Sequence, residues 1–494
     1  MHKFEHFGDG CTYFTHNNTV ANVRRAILER VMYREVDGTL VPPPETTVET
    51  WSELCGAFRK KLYRKLPAAD PKTLEEFLQG YSGDRRYRRY AQAVESLMHT
   101  PVEVRDSWVQ AFVKAEKTRV KEGKDPCPRL IQPRDPRYNA AVGRWLRHLE
   151  KPLYKAIEKA TRHERVKAVV AKGRNAEGTA SLLRDCWETM LDPVVISLDA
   201  SRFDQHVSVP ALKFEHGVYR QFYRRHDTRE LSRLLSWQLA TRGRARCVDG
   251  TVRYDSTGGR MSGDMNTSTG NCLLMTCMMW SWTNSSTERG AHVVDNGDDV
   301  LVFLEREDVV RFESGLAEFF RRLGFTICVE SKADIFERIE FCQTQPVWLG
   351  DRWVMVRDPR VCMAKDLTTL IDVRHPRNAA KYLRSVGDCG LSLTGGCPVL
   401  QSFYVALRRC GSDGYNMRDN QMEGGFYKLA EGMSRRETPI TTASRVSFWQ
   451  AFGISPHDQH LIEQRHRHWV PGTSFKERDC PPATIPFYTP HSEY

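Results

Sequence analysis

With 494 residues, the chain is too long for one compact core, so two or three domains or subdomains are expected. An apolar fraction of 40% supports a folded interior, but the most apolar run, CLLMTCMMWSW at 272–282, falls short of the roughly 20 residues a bilayer span needs and predicts a buried helix. Lys and Arg number 73 against 62 Asp and Glu, a formal charge of +11, which admits polyanionic partners without requiring them.

The fourteen cysteines are irregularly spaced and never form C-x-x-C, which argues against a zinc ribbon or a disulfide framework and for reduced thiols. The opening MHKFEHFGDG lacks the charged-then-apolar layout of a secretory signal, so Asn17-Asn18-Thr19 reads as a chance sequon. Through about residue 190 the chain is charged and helix-leaning, with basic clusters FRKKLYRKL (58–66) and DRRYRRYAQAVESL (84–97) and proline joints at 42–44 and 126–136. Within this part, FVKAEKTRVKEGKDPCPRLIQPRDPRYN (112–139) packs cations into a proline-stiffened stretch. Pro126, Pro128, Pro133 and Pro136 favour extended backbone, so Lys124, Arg129, Arg134 and Arg137 are expected to be held out rather than wound into a helix. Arginine forks grip phosphate at two points and lysine acts as a point charge. A channel wall that draws in a nucleoside triphosphate needs such groups; a solvated linker is the competing reading.

From Pro193 the texture changes to β-branched strands separated by helices. In VVISLDASRFDQHVS (194–208), a buried strand is expected to end at Asp199, and Asp204 follows where a helix begins. Taken alone, this pair also fits acids at the positive end of a helix dipole. In STGGRMSGDMNTSTGNCLLM (256–275), glycines at 258, 259 and 263 permit close backbone approaches. The helix that follows sets Thr267 and Asn271 on one face, with Ser262 at the loop–helix junction. Such hydroxyl and amide groups can hydrogen-bond a ribose 2′-OH; a flexible loop capping a core helix is the alternative.

In HVVDNGDDVLVFLE (292–305), Asn296-Gly297 between apolar runs predicts a β-hairpin whose tip crowds Asp295, Asp298 and Asp299. Like charges flanked by buried strands call for a cation. Acids at the ends of two strands can hold two divalent cations about 3.5–4 Å apart for in-line phosphoryl displacement. Mg²⁺ suits carboxylate oxygens and leaves room for water and phosphate, with Asp199 and Asp298 as main ligands and Asp299 assisting. Asp295 is assigned to the turn's own hydrogen bonds. Further on, IEFCQTQPVWLGDRWVMV (339–356) is strand-rich, and the chain then turns mostly helical, with glycine-rich turns expected at 386–396 and 411–425. The histidines at 457, 460, 466 and 468 have no spacing that fixes a tetrahedral metal site. Neither a P-loop nor H-E-x-x-H occurs.

In this order the segments resemble the RNA-dependent RNA polymerases of positive-strand RNA viruses, most closely the tombusvirus-like group related to carmoviruses and umbraviruses. The 112–139 stretch looks like motif F, SLDASRFD like motif A, GGRMSGDMNTSTGN like motif B, NGDD like motif C and IEFCQTQPV (339–347) like motif E. SRVSFWQAFGISP (444–456) resembles the family's thumb. The likeness runs from about THNNTVANVRRAILERV (15–31) to past residue 456. It implies an α+β fold of the closed right-hand type: fingers over 1–190, a palm with an antiparallel sheet over 191–360, interrupted by a fingers insertion at about 211–255, and a thumb over 361–494.

The resemblance also implies roles. Asp199 and Asp298 would hold two Mg²⁺ ions (Mn²⁺ as substitute) with Asp299 in support, and Asp204 and Asn271 would sense the ribose, with Ser262 and Thr267 shaping that contact. Lys114, Lys124, Arg129 and Arg134 would contact triphosphate or template. In FTICVESKADIF (325–336), Lys332 is the candidate to protonate leaving pyrophosphate; a surface lysine after a strand is the alternative. The partners implied are single-stranded RNA template, nascent RNA and NTPs. A viral auxiliary protein would tie the chain to host membranes, at replication complexes in the host cytoplasm. Such polymerases are usually the C-terminal part of a longer replicase, and this chain is expected to be the polymerase region alone. Two rivals stand beside this reading. A reverse transcriptase shares the palm but does not suit Asp204, Asn271 and the GDD turn. A non-catalytic RNA-binding replication protein would have no reason to keep the three acids.

Overall fold

The computed structural model describes residues 1–7, 12–120, 126–412 and 429–471. Its main strands, in chain order, are β1 (Val109–Val113), β2 (Leu130–Ile131), β3 (Val166–Val170), β4 (Pro193–Ala200), β5 (Ala240–Cys247), β6 (Gly250–Thr257), β7 (Ala291–Asp295), β8 (Asp299–Glu305), β9 (Ile327–Ala333), β10 (Thr344–Trp348) and β11 (Trp353–Arg357). Mixed with helices throughout, they make an α+β fold.

The central sheet has the order β9-β4-β8-β7-β3. Its pairings are antiparallel except that of β3, which runs parallel to β7. Residues Val194–Leu198 of β4 and Val300–Leu304 of β8 are all buried, because both faces of the sheet are covered. Side chains alternate between two cores, as the pleat requires. Ile196, Leu198, Val300 and Val302 pack with the helices Val48–Tyr63, Val209–Phe222 and Thr267–Ser286. Val195, Leu301 and Phe303 pack with the helix Ala176–Glu188, the β10–β11 hairpin and the helices of the last third. The helix Thr267–Ser286 contains the apolar run expected to be buried, and Cys272–Trp280 are buried without exception.

A second sheet, ordered β6-β5-β1-β2, joins segments far apart in sequence. The β5–β6 hairpin lies parallel to β1 through β5, and the helix Val20–Ile27 packs Val23, Ala26 and Ile27 onto it. Through Phe112–Val113 and Leu130–Ile131 the proline-stiffened stretch thereby becomes part of this sheet.

Three expectations need correction. β3 lies within the charged first part, where no strand was expected, and only a short alternation in VKAVV marks it. The first 190 residues therefore contribute to the central sheet. Most of the 386–396 stretch is no turn but the second half of the helix Pro376–Thr394; within it only Gly395 and Gly396 form a turn. A Cβ on Gly390 would stand 2.2 Å from the Tyr404 ring, and one on Gly387 would stand 2.8 Å from the Arg408 backbone nitrogen. These glycines serve the close approach of the helix Leu400–Cys410 rather than a bend. Of the other expected turn, 413–425 lie outside the described residues. Finally, β10 begins at Thr344 because Cys342 and Gln343 take φ of 52° and 61°, which no strand accommodates. Among the described residues no helix is long and apolar enough to cross a membrane.

The first residues meet the last third of the chain. His2–Lys3 pairs with Thr368–Thr369, and His6 Nε2 lies 3.1 Å from His466 Nε2, with Ser402 Oγ 2.8 Å from His466 Nδ1. Burial, aided by His6, pushes His466 down to about 3. The unfolded chain takes up that proton near the ordinary value of about 6.5. The stability held at His466 is therefore complete above that pH and drains away as pH falls towards the folded value. Between about pH 7 and about pH 5, wild type should lose up to about 2 kcal/mol more than His466→Gln. Parallel slopes of thermal midpoint against pH for the two proteins would rule this out, since buried histidines remote from His466 cancel in the difference.

Candidate active site

Strand register brings the acids together. Asp299, first residue of β8, pairs with Asp199 of β4, which pairs on its other side with Cys328 of β9. Gly297 takes φ +104° at the turn and donates its N–H to Asp295 Oδ1 at 2.9 Å. Thr276 Oγ1, on the buried helix, donates to Asp295 Oδ2 at 2.9 Å. Asp295 is thus consumed by the turn; it is fully buried, and burial pushes its carboxyl up to about 8. Asp298 is exposed at the tip.

Every influence on Asp199 acts in one direction: burial first, then the charges of Glu330, Asp298 and Asp299, raising it to about 6. Asp299 is raised by burial and by Asp298. Glu330 escaped the sequence reading. It stands where the β9 register slips between Val329 and Ser331, and such bulges re-aim a side chain without leaving a pattern in composition. Among the described residues no three of His, Cys, Asp and Glu stand close enough to grip an ion as they are. The donor set is nevertheless one of hard carboxylate oxygens whose mutual repulsion a divalent cation would relieve, so it fits an ion of the Mg²⁺ type.

Beside the acids, the short helix Phe203–His206 carries Asp204. Asn271 Nδ2, on the helix Thr267–Ser286, donates to Asp204 Oδ1 at 2.8 Å. Burial raises Asp204, against the pull of that hydrogen bond. Thr267 Oγ1 donates to the Met261 carbonyl at 2.7 Å, and Ser262 Oγ accepts the Gln132 N–H at 2.9 Å. Both hydroxyls therefore shape the glycine loop. A Cβ on Gly263 would stand 2.4 Å from Pro133 Cα and 2.8 Å from the Gln132 carbonyl, so glycine is what lets the loop lie directly on the proline-stiffened wall.

A cavity of about 650 Å³ opens here, lined by Asp204, Ser262, Thr267, Asn271 and Asp298 and, in cationic contrast, by Arg30, Arg86, Arg129, Arg202 and Lys172. Of the four basic residues expected to face a triphosphate, Arg129 does line it. Arg134 does not: its guanidinium is buried against the Asp264 carboxylate and donates to the Ser107 carbonyl at 2.6 Å and Thr241 Oγ1 at 3.1 Å. Lys114 pairs with Glu116 at 2.7 Å away from the cavity lining, and Lys124 lies outside the described residues. Lys332 pairs with Glu313 at 2.7 Å, four residues along β9 from the Cys328 that faces Asp199. Arg137, expected in extended backbone, sits in the first turn of the helix Pro136–Leu146, because Asp135 caps the helix and Pro136 suits its first position. The unexpected cations come from separate segments; Arg86 belongs to the basic cluster at 84–97 and Arg202 lies between Asp199 and Asp204, while Arg30 and Lys172 had no such neighbour to point to them.

Comparison with known proteins returns one family. A family model described as viral RNA dependent RNA polymerase matches residues 1–472. The chain is similar to the RNA-directed RNA polymerase of Tobacco necrosis virus (strain D), 39% identical over 467 residues covering 94% of this chain and 64% of that protein. It is also similar to those of Maize chlorotic mottle virus (isolate United States/Kansas/1987), at 39% over 92% of the chain and 47% of the relative, and Turnip crinkle virus, at 36% over 95% and 60%. The chain spans about half to two thirds of the length of these relatives.

Proposed function

This chain belongs to the viral RNA-dependent RNA polymerase family, and from that premise we propose that it is the polymerase region of a positive-strand RNA virus replicase. It copies a single-stranded RNA template by joining NTPs to the 3′-OH of nascent RNA with release of pyrophosphate. In this reading the central sheet with Asp199, Asp298 and Asp299 is the palm, the basic wall and second sheet belong to the fingers, and the helices after about residue 360 form the thumb. A viral auxiliary protein ties the chain to host membranes, at replication complexes in the host cytoplasm.

The observation that carries the proposal is one juxtaposition: Asp298, at the tip of the hairpin whose Asp299 is in register with Asp199, lines one basic cavity together with the bonded pair Asn271–Asp204. Divalent cations are a general requirement of the family. Asp199 and Asp298 would hold two Mg²⁺ ions, with Mn²⁺ as substitute and Asp299 assisting. When bound, the ions would lower the 3′-hydroxyl's pKa and offset charge on the departing pyrophosphate. Asp204, with one oxygen taken by Asn271, keeps the other to accept a 2′-hydroxyl. Arg129, Arg30, Arg202 and Lys172 offer the charge that holds a triphosphate. Asp204 and Asn271 weigh against a reverse transcriptase, and the repelling acids weigh against a non-catalytic RNA-binding protein, in which nothing would maintain them.

Purified protein given single-stranded RNA, four NTPs and Mg²⁺ should make RNA complementary to the template, and dNTPs should be used at least about 100-fold less efficiently. Absence of product on any RNA template would overturn the activity. Equal use of dNTPs would overturn the role given to Asp204 and Asn271.

A further inference from the structure

The pair Asp204–Asn271 is itself held by groups that line no part of the cavity. Arg260 donates its backbone N–H to the Asp204 carbonyl at 2.7 Å, and its Nε to Asn271 Oδ1 at 3.1 Å. The rest of its guanidinium closes on Glu215, with Nη1 to Oε1 at 3.2 Å and Nη2 on Oε2. Both side chains are 0% exposed. Behind them, Asn266 Nδ2 donates to Glu215 Oε1 at 2.6 Å, and Gln238 Nε2 donates to Asn266 Oδ1 at 3.0 Å. Gly270 makes room for the pair, since a Cβ there would stand 2.4 Å from Arg260 Nη2 and 2.5 Å from Glu215 Oε1.

The chemistry of an amide gives this arrangement a purpose. Asn271 can turn its amide either way, but a guanidinium only donates. With Nε of Arg260 directed at Asn271, the amide oxygen must face Arg260 and the NH₂ must face Asp204. The flipped amide would set donor against donor on one side and oxygen against carboxylate on the other. A buried ion pair is weak evidence for stability, because desolvation offsets most of its attraction, and fixing one arrangement is its better-attested use. Arg260 alone could not be buried; Glu215 neutralises it and sets its plane.

We propose that Arg260, held by Glu215, is the positioning residue that orients Asn271 and Asp204, so that the choice between ribose and deoxyribose is governed by an ion pair that never touches the nucleotide. The proposal rests on the reading of Asp204 and Asn271 as the ribose-sensing pair.

The test compares NTP and dNTP incorporation, as kcat/KM, in wild type and in the double variant Arg260→Met/Glu215→Gln. The variant removes both buried charges while Gln keeps an acceptor for Asn266. Discrimination should fall about tenfold or more, while kcat/KM for the dNTP stays within about threefold of wild type; damage that is merely structural lowers both substrates alike. Should the double variant fail to fold, Arg260→Lys, which keeps a charge against Glu215 but loses the Nε donor to Asn271, should show the same change at a few-fold. Unchanged discrimination in a folded variant, or a parallel fall for both substrates, overturns the role of Arg260. A wild type indifferent to the sugar overturns the ribose reading, and the positioning role with it; a discriminating wild type beside an equally discriminating variant overturns the positioning role alone.

Discussion

Asp298→Ala should abolish template-directed RNA synthesis, by about a thousandfold or more, while leaving the fold intact. The two halves of that expectation come from different observations. Asp298 is exposed at the hairpin tip and is one of the charges that push Asp199 up, so its removal takes away a repulsion and no buried contact. In the proposed reading, its loss would nevertheless withdraw a main ligand of the ions that would activate the 3′-hydroxyl. Such ions supply several kcal/mol of transition-state stabilisation, and each 1.4 kcal/mol is tenfold in rate. Incorporation in Mg²⁺ and a thermal unfolding midpoint, measured on one preparation, separate the halves. Activity within tenfold of wild type would end the ligand assignment, and a midpoint several degrees lower would contradict the picture of a tip free of packing.

Arg134→Met should act in the opposite way, destabilising the protein by about 3–5 kcal/mol, the range for breaking one side of a buried ion pair. The cause is the charge left behind: Asp264 would remain buried with no guanidinium, and the Ser107 carbonyl and Thr241 hydroxyl would lose a donor. Arg134→Met/Asp264→Leu removes both charges and should recover most of the loss. Had Arg134 been a phosphate contact, the single substitution would raise the KM for NTPs with urea unfolding unchanged. A denaturation midpoint equal to wild type would therefore restore the phosphate role and discard the structural one.

These two residues mark the boundary of what could be read from sequence. Asp199, Asn271, Asp298 and Asp299 were legible because each sits at a fixed place in a local pattern: a strand end, a helix face or a hairpin turn; the partnership of Asp204 with Asn271 came only from the family resemblance. Short-range geometry is enough to predict where such side chains point. The basic wall was legible only as a stretch. Arg129 and Arg134 are five residues apart with the same chemistry, yet one lines the cavity and the other braces Asp264, a partner 130 residues away in sequence (264 − 134). Lys172, Arg30 and Glu330 reach the site through pairings or a bulge that composition does not encode. The helix at 376–394 was misread for a related reason: glycine signals either a bend or a close neighbour, and Tyr404, the neighbour that decides for Gly390, is remote in the chain. The central strands and the buried helix were legible because an apolar run of the right length has few other uses.

The pairing of His2–Lys3 with Thr368–Thr369 also sets a timetable. During synthesis from the N-terminus, the first strand must wait for more than three hundred further residues before its partner exists, and His6 waits longer still for His466. Contacts so distant in sequence form late and slowly, and an unpaired edge is open to the wrong partner meanwhile. The strand's length of two residues and the charge on Lys3 limit that exposure. A seam that closes late in synthesis is thus also weakly adhesive while it is open.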